Sequence, residues 1–196
     1  ATPQSAEDIS QNPLSRLPFS PNFRRAIGDE FQISQNTIND KLVPSVVGLT
    51  NGDAFIAWEG TQTGGYDIYG RVFSANGTAL TNEFGVNQNL PGNQQNPSVA
   101  SLTDGNAFVA WVGLQSGDND IYGRLFYPNG TALGNKFTIN QVTTNSQTFP
   151  SVAILQNGNA LVTWQGYQTG DADIYGRIFA ANGTALTNEF GINQVI

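Results

Sequence analysis

Ala54-Phe55-Ile56-Ala57-Trp58-Glu59-Gly60 returns as Ala107-Phe108-Val109-Ala110-Trp111-Val112-Gly113 and again as Ala160-Leu161-Val162-Thr163-Trp164-Gln165-Gly166. In the first copy Ala54, Ile56 and Trp58 alternate with Phe55 and Ala57, so both parities of a strand are apolar. A sheet with one wet face alternates apolar with polar residues; this one is expected to be covered on both sides. The copies are 53 residues apart, and Pro44, Pro97 and Pro150 keep the same register, as do the Tyr-Gly-Arg triplets from Tyr69, Tyr122 and Tyr175. Residues 36–88 match residues 142–194 at 33 of 53 positions. A period of this size marks stacked supersecondary units such as solenoid turns or propeller blades.

Around that strand each unit (36–88, 89–141, 142–194) reads as four short strands separated by Gly and Asn turns. Strand one is Pro-Ser-Val-x-x-Leu from Pro44, Pro97 and Pro150, opening on Pro where a strand tolerates it. Gly52, Gly105 and Gly158 mark a turn into strand two. Strand three is Asp-Ile-Tyr-Gly-Arg-x-Phe from Asp67, Asp120 and Asp173, and strand four lies at Phe84, Phe137 and Phe190. Small residues in strand one, such as Ser45, Ser98 and Ser151, suit inner strands crowded around an axis. The predicted fold class is all-β, with three four-stranded, β-propeller-like blades. A closed threefold β-trefoil or β-prism is the alternative, because three copies suit that closure and a propeller typically has four to eight blades. Blades carry a consequence: three alone leave two apolar end faces for other chains to cover.

Residues 1–29 have no counterpart in the repeats and contain Pro3, Pro13, Pro18 and Pro21. Pro fixes φ and removes donors, so this part reads as an extended N-terminal arm whose Leu14, Leu17, Phe19 and Phe23 form apolar teeth. Residues 30–196 read as the three-repeat β domain. Phe31-Gln-Ile-Ser-Gln35 lies 53 residues before Phe84-Gly-Val-Asn-Gln88 and reads as a surplus fourth strand, with Phe31 and Ile33 as its apolar residues. Such a strand is available for addition to a neighbouring subunit's sheet.

The chain has 196 residues and a net charge of −7, with eight Lys and Arg in all, which excludes nucleic acid as the expected partner. It has no Cys, Met or His, which removes disulfides, thiol nucleophiles, His-based acid–base relays and most zinc or haem ligation; no cofactor and no metal are expected. No apolar run approaches the roughly 20 residues that span a bilayer, so no membrane insertion is expected. The chain starts at Ala1, as a mature chain does after removal of a signal peptide, and an extracellular or cell-surface location is expected.

The order Pro-Ser-Val-Ala-x-Leu, Gly, Ala-Phe-Val-Ala-Trp, Asp-Ile-Tyr-Gly-Arg-x-Phe, Asn-Gly and Glu-Phe-x-Val-Asn, over roughly residues 31–194, resembles the tandem repeats of large secreted bacterial surface and RTX-type adhesin proteins. The resemblance implies an extracellular, propeller-like β-repeat with a structural or adhesive role and no catalytic residues in the repeat. This chain departs from that pattern in having three units and an arm, which favours a small subunit that assembles.

Asn76, Asn129 and Asn182 each head Asn-Gly-Thr, a glycosylation acceptor that is also the best two-residue hairpin turn. Asp67, Tyr69 and Arg71, with Asp120, Tyr122, Arg124 and Asp173, Tyr175, Arg177, project from one face of strand three. They read either as one saccharide site per repeat or as an internal Asp–Arg bridge with Arg stacked on an aromatic ring. Asp118 with Asp120, and Asp171 with Asp173, lack the full calcium-loop pattern. The expected function is a non-enzymatic extracellular subunit that self-assembles into a surface filament or ring, its partner being itself, through Leu14, Leu17, Phe19, Phe23, Phe31 and Ile33. The alternative is a carbohydrate-binding lectin or adhesin with glycans as partners. A hydrolase is a third reading, since spacing alone leaves glycosidase-type carboxylate pairs open.

Overall fold

Each repeat starts from a hairpin. The Leu49 N–H donates to the Asp53 carbonyl at 2.7 Å, the Gly52 N–H to Leu49 at 3.0 Å, and Gly52 takes φ 90°, a left-handed position that glycine occupies without a Cβ clash. Gly105 and Gly158 do the same in the later repeats. The computed structural model describes residues 30–62, 64–88, 92–115 and 117–193. Its first sheet contains β1 (Lys41–Gly48), β2 (Ala54–Gly60), β3 (Asp67–Phe73) and β4 (Phe84–Gly85). The second contains β5 (Gln94–Ser101), β6 (Ala107–Gln115), β7 (Asp118–Phe126) and β8 (Phe137–Thr138), and the third β9 (Gln147–Ile154), β10 (Ala160–Gly166), β11 (Asp173–Phe179) and β12 (Phe190–Gly191). All three are antiparallel meanders in chain order, so each repeat is one blade.

The blades fan out from their first strands, with β1 beside β5 and β5 beside β9. Two seams hold them together. In the first, Phe55, Ala57, Ile68, Val72 and Val86 of blade 1 meet Val99, Val109, Trp111 and Phe126 of blade 2. In the second, Phe108, Ala110, Ile121, Leu125 and Ile139 of blade 2 meet Val152, Val162, Trp164 and Phe179 of blade 3. Each such large side chain contributes about 1.5–3 kcal/mol through burial. The middle blade is therefore covered on both sides, as its double apolar parity predicts. Among the described residues the outer face of blade 1 and that of blade 3 are left partly uncovered: Val46 is 65% exposed, whereas its counterparts Val99 and Val152 are buried. Blades, rather than a closed threefold barrel, are the architecture.

Two local expectations change. Strand one starts three residues earlier than its prolines, at Lys41, Gln94 and Gln147, and a bulge interrupts its pairing with strand two just before Ser45, Ser98 and Ser151. The residues preceding the prolines, Val43, Asn96 and Phe149, take φ 48°, 53° and 52°. Proline marks a bulge inside the strand rather than its beginning. The Asn-Gly turn is also longer than two residues: Ser74 N–H donates to Thr78 O, Gly77 N–H to Ser74 O, and Phe73 bridges to Ala79.

The chain divides after Phe31, and Gln32–Ile196 forms one body. Leu14, Leu17, Phe19 and Phe23 lie outside the described residues; Phe31 is 54% exposed. Ile33 sits where repeat register puts it. The Arg71 Nη1 donates to the Ile33 carbonyl at 2.7 Å, as Arg124 does to Val86 at 2.9 Å and Arg177 to Ile139 at 2.8 Å. Gln32–Gln35 thus occupies the place of a preceding blade's fourth strand, with no strand beside it to complete a ladder among the described residues.

Candidate functional site

Strand three places the predicted Asp, Tyr and Arg side chains in structural contacts. Arg71, Arg124 and Arg177 each use Nε on a carbonyl of their own blade (Thr81, Gly134, Thr187) and Nη1 on the fourth-strand segment one repeat earlier. Each guanidinium lies over the Phe two residues on, at 5.1 Å for Phe73 and 5.4 Å for both Phe126 and Phe179. The stacking partner is Phe, and the acceptors are carbonyls rather than Asp. Asp67, Asp120 and Asp173 instead accept from Asn87, Asn140 and Asn193 at 2.7–2.8 Å, while the same Asn side chains accept from the backbone of Ile68, Ile121 and Ile174. The Tyr122 ring lies against Trp111 and under Lys136 Nζ, 3.9 Å from its centre. Tyr175 stacks on Trp164, and Tyr69 is buried.

Burial sets the electrostatics of these groups. The Asp120 carboxyl is pushed up by desolvation and further by Asp118, against the lowering effects of the Asn140 hydrogen bond and Lys136. Tyr122 is pushed up to about 12 by burial and by the Asp120 charge. Asp173, at the same repeat position but in solvent, is held down by the Thr169 hydroxyl and the Asn193 amide. No group of three or more His, Cys, Asp or Glu that would hold a metal occurs among the described residues. Asn76, Asn129 and Asn182 are exposed, and each side-chain carbonyl accepts the N–H of the Thr two residues on at 3.0 Å.

A different set of residues gathers at one end of the blades, where strand one begins, strand two ends and strand three begins. Ten positions carry three different residues in the three units, and seven of them, those of Ile38, Asp40, Leu42, Val43, Glu59, Thr61 and Tyr66, lie at this end. The other three are those of Gly48, Val72 and Ser74. Several described backbone groups here have special conformations or cross-blade bonds. Besides the left-handed Val43, Asn96 and Phe149, the entry turns have positive φ at Asn39, Gly92 and Asn145. The Asn96 N–H donates to the Glu59 carboxylate at 2.8 Å across the first seam, and Gln94 N–H donates to the Tyr66 carbonyl at 2.7 Å. In blade 3 the Asn145 amide donates to the Tyr167 carbonyl at 3.0 Å and Gln165 to the Tyr167 hydroxyl at 2.7 Å. Phe149 is 63% exposed and Tyr167 37%. Exposed aromatic faces, amides and a carboxylate thus share one end of the blades, and Glu59 brings a buried carboxylate where the other units have Val112 and Gln165. The strand-three candidates stand out because they repeat; the signal that marks this end is the opposite, divergence within otherwise matching copies.

No protein-family model matches the chain, and no curated protein sequence does. Among solved structures it is similar to a thermostable family-43 glycoside hydrolase, at 13% identity and TM-score 0.57 over 80% of this chain and 56% of that one. It is similar also to a family 117 glycoside hydrolase from the marine bacterium Zobellia galactanivorans (11% identity, TM-score 0.55, 79% and 56%). A third is an endo-arabinase from Bacteroides thetaiotaomicron (15% identity, TM-score 0.50, 77% and 61%). This chain spans little more than half the length of these structures, and at these identities the likeness is one of fold. It nevertheless corrects the expectation of a non-enzymatic chain: that expectation rested on the missing Cys and His and on a resemblance that implied no catalytic residues in the repeat, and the fold seen here is similar to that of glycoside hydrolases.

Proposed function

We propose that this chain is a carbohydrate-active blade unit that holds a saccharide at the axial end of its blades. The observation that carries the proposal is the concentration of unit-specific residues there, on a backbone fixed by bulges and cross-blade hydrogen bonds. A saccharide presents apolar ring faces and a rim of hydroxyls, and Phe149, Tyr167, Asn145, Gln165, Asn96 and Asp40 offer matching faces, donors and acceptors. A site on short strands and tight turns keeps its geometry without a ligand, which lowers the cost of binding. The glycoside hydrolases of similar fold support the same substrate class. The test is a glycan array probed with the full chain: binding to a defined family of saccharides is expected, and an array without any specific signal overturns the proposal.

A second reading, hydrolysis, is favoured by one observation. The β1–β2 pairing Leu42↔Glu59 and Lys41↔Gly60, continued one residue further, sets Asp40 opposite Thr61, whose N–H donates to the Asp40 carbonyl at 3.4 Å. Asp40 is then diagonal to Glu59, a side-chain spacing of about 7 Å. Pairs of carboxylates about 5–9.5 Å apart serve glycoside hydrolysis. Glu59→Gln installs the residue that the third repeat already carries, so the seam survives. Release of reducing sugar by the full chain, and a loss of at least about 100-fold in Glu59→Gln, is the expected result; equal rates in both proteins overturn this reading.

A further inference from the structure

The two uncovered blade faces are complementary halves of one interface that the chain already makes twice. On the outer face of blade 1, Val46 is 65% exposed where Val99 and Val152 pack on the preceding blade, while Trp58, the equivalent of Trp111 and Trp164, is already buried within blade 1. On the outer face of blade 3, Ile174 is 41% and Ile192 46% exposed, where Ile68, Ile121, Val86 and Ile139 are fully buried against the following blade. A groove of about 200 Å³, lined by Ile33, Lys41, Leu42, Ile56 and Trp58 among others, opens on the blade 1 face. We infer that a second copy of this chain packs head to tail on these faces, blade 3 of one copy on blade 1 of the other. Two such contacts close two sets of three blades into a ring of six, within the typical range of a propeller. The inference is independent of the saccharide reading.

The seat for the partner is occupied in the single chain. In a copied seam, the neighbour's Ile192 carbonyl falls where the Ile33 carbonyl now accepts from Arg71, because Ile33, Val86, Ile139 and Ile192 are successive repeat equivalents. Both cannot be there. The neighbour's β12 is held in its own sheet by ladder pairs to Tyr175 and Gly176 and by the Ile192 N–H to Ile174 O. Gln32–Gln35 has no ladder among the described residues; it rests on Arg71 and on Gln35's bonds to Asn82 and Glu83. Gln32–Gln35 is therefore a placeholder that the neighbour's β12 displaces.

The full chain is weighed in solution across concentration by light scattering or sedimentation. A species of twice the 21.0 kDa chain mass is expected; a monomer at every concentration, or an open-ended polymer, overturns the ring. Val46→Arg and Ile192→Arg change residues exposed in the single chain, so unchanged circular dichroism serves as the folding control. Each variant alone is expected to be monomeric, weakened by at least about tenfold, while their equimolar mixture pairs through the one intact contact. Failure of the mixture to pair, or pairing by either variant alone, overturns the head-to-tail geometry. Gln35→Ala loosens the placeholder and is expected to raise the dimer fraction; a lowered or unchanged fraction overturns the displacement.

Discussion

One repeat position can have opposite electrostatics in two blades. Asp120 and Asp173 follow the same sequence rule and bond equivalent Asn side chains, yet burial raises the pKa of the first and hydroxyl and amide donors lower that of the second. The raised group binds its proton more readily in the folded chain, so its favourable contribution is complete in acid and is lost as the pH rises through its folded pKa. Asp120→Asn is expected to raise the melting temperature at pH 7, with the difference vanishing below the ordinary carboxylate range. For Asp173 the sign reverses: its contribution is present at neutral pH and lost as the pH falls through its lowered pKa, so Asp173→Asn lowers the melting temperature at pH 7 and not at low pH. Melting followed by circular dichroism from pH 3 to 8 checks both. The tryptophans differ in a similar way. Trp111 and Trp164 donate to buried Gln94 and Gln147 at 3.0 Å, whereas the first repeat has Lys41 at that position and the buried Trp58 Nε1 has no partner among the described residues. Leaving a buried donor unmet costs about 1–3 kcal/mol. Gln94→Ala is expected to lower unfolding free energy by that amount, and Lys41→Gln to raise it, both readable from urea unfolding. The Trp periodicity was legible in sequence; which Trp lacks its acceptor required comparing the residue 17 positions earlier, a link that only packing reveals.

At the scale of elements, strands two and three were readable almost to the residue because both parities of strand two are apolar and the Asp-Ile-Tyr-Gly-Arg run repeats without change. Strand one was not. Proline in a strand usually marks its start, and only the structure shows that three left-handed residues set bulges before Pro44, Pro97 and Pro150. A β-branched residue such as Val43 at φ 48° costs on the order of 1–3 kcal/mol, a strain that the rest of the blade must offset. Val43→Gly is accordingly expected to stabilise the chain by up to about 1 kcal/mol, discounted for backbone entropy; a loss of stability would mean that the Val side chain contributes packing that outweighs the strain. The arginines were legible as a repeated pattern, but their acceptors, carbonyls one repeat away, were not, because backbone groups carry no sequence signature. Arg124→Ala removes the Nη1 bond that ties blade 2 to blade 1 and the Nε bond within blade 2, and is expected to cost about 2–3 kcal/mol. Arg71→Ala should cost less, since the Nη1 bond it removes holds only Gln32–Gln35.

Over the whole molecule, three blades share two seams, and among the described residues Val46 on blade 1 and Ile174 and Ile192 on blade 3 stay exposed on the outer faces. The blades themselves were legible because burial on both faces is written in the alternation of strand two. The candidate site was not, because attention to what repeats leads to the contacts that hold blades together, while the residues that distinguish the copies lie at the axial end and form no motif. That contrast also supplies a control. Glu59→Gln installs the residue of the third repeat and keeps an acceptor for the Asn96 N–H, while Phe149→Asn and Tyr167→Leu install those of the second, so the combined variant keeps blades that the fold already accommodates while levelling the axial end. Calorimetric titration of this variant and the native chain with a saccharide found on the array tests the central claim most directly. A fall in affinity of at least about tenfold, roughly 1.4 kcal/mol, with an unchanged melting temperature is predicted; equal affinity in the two proteins would contradict a saccharide site at the axial end.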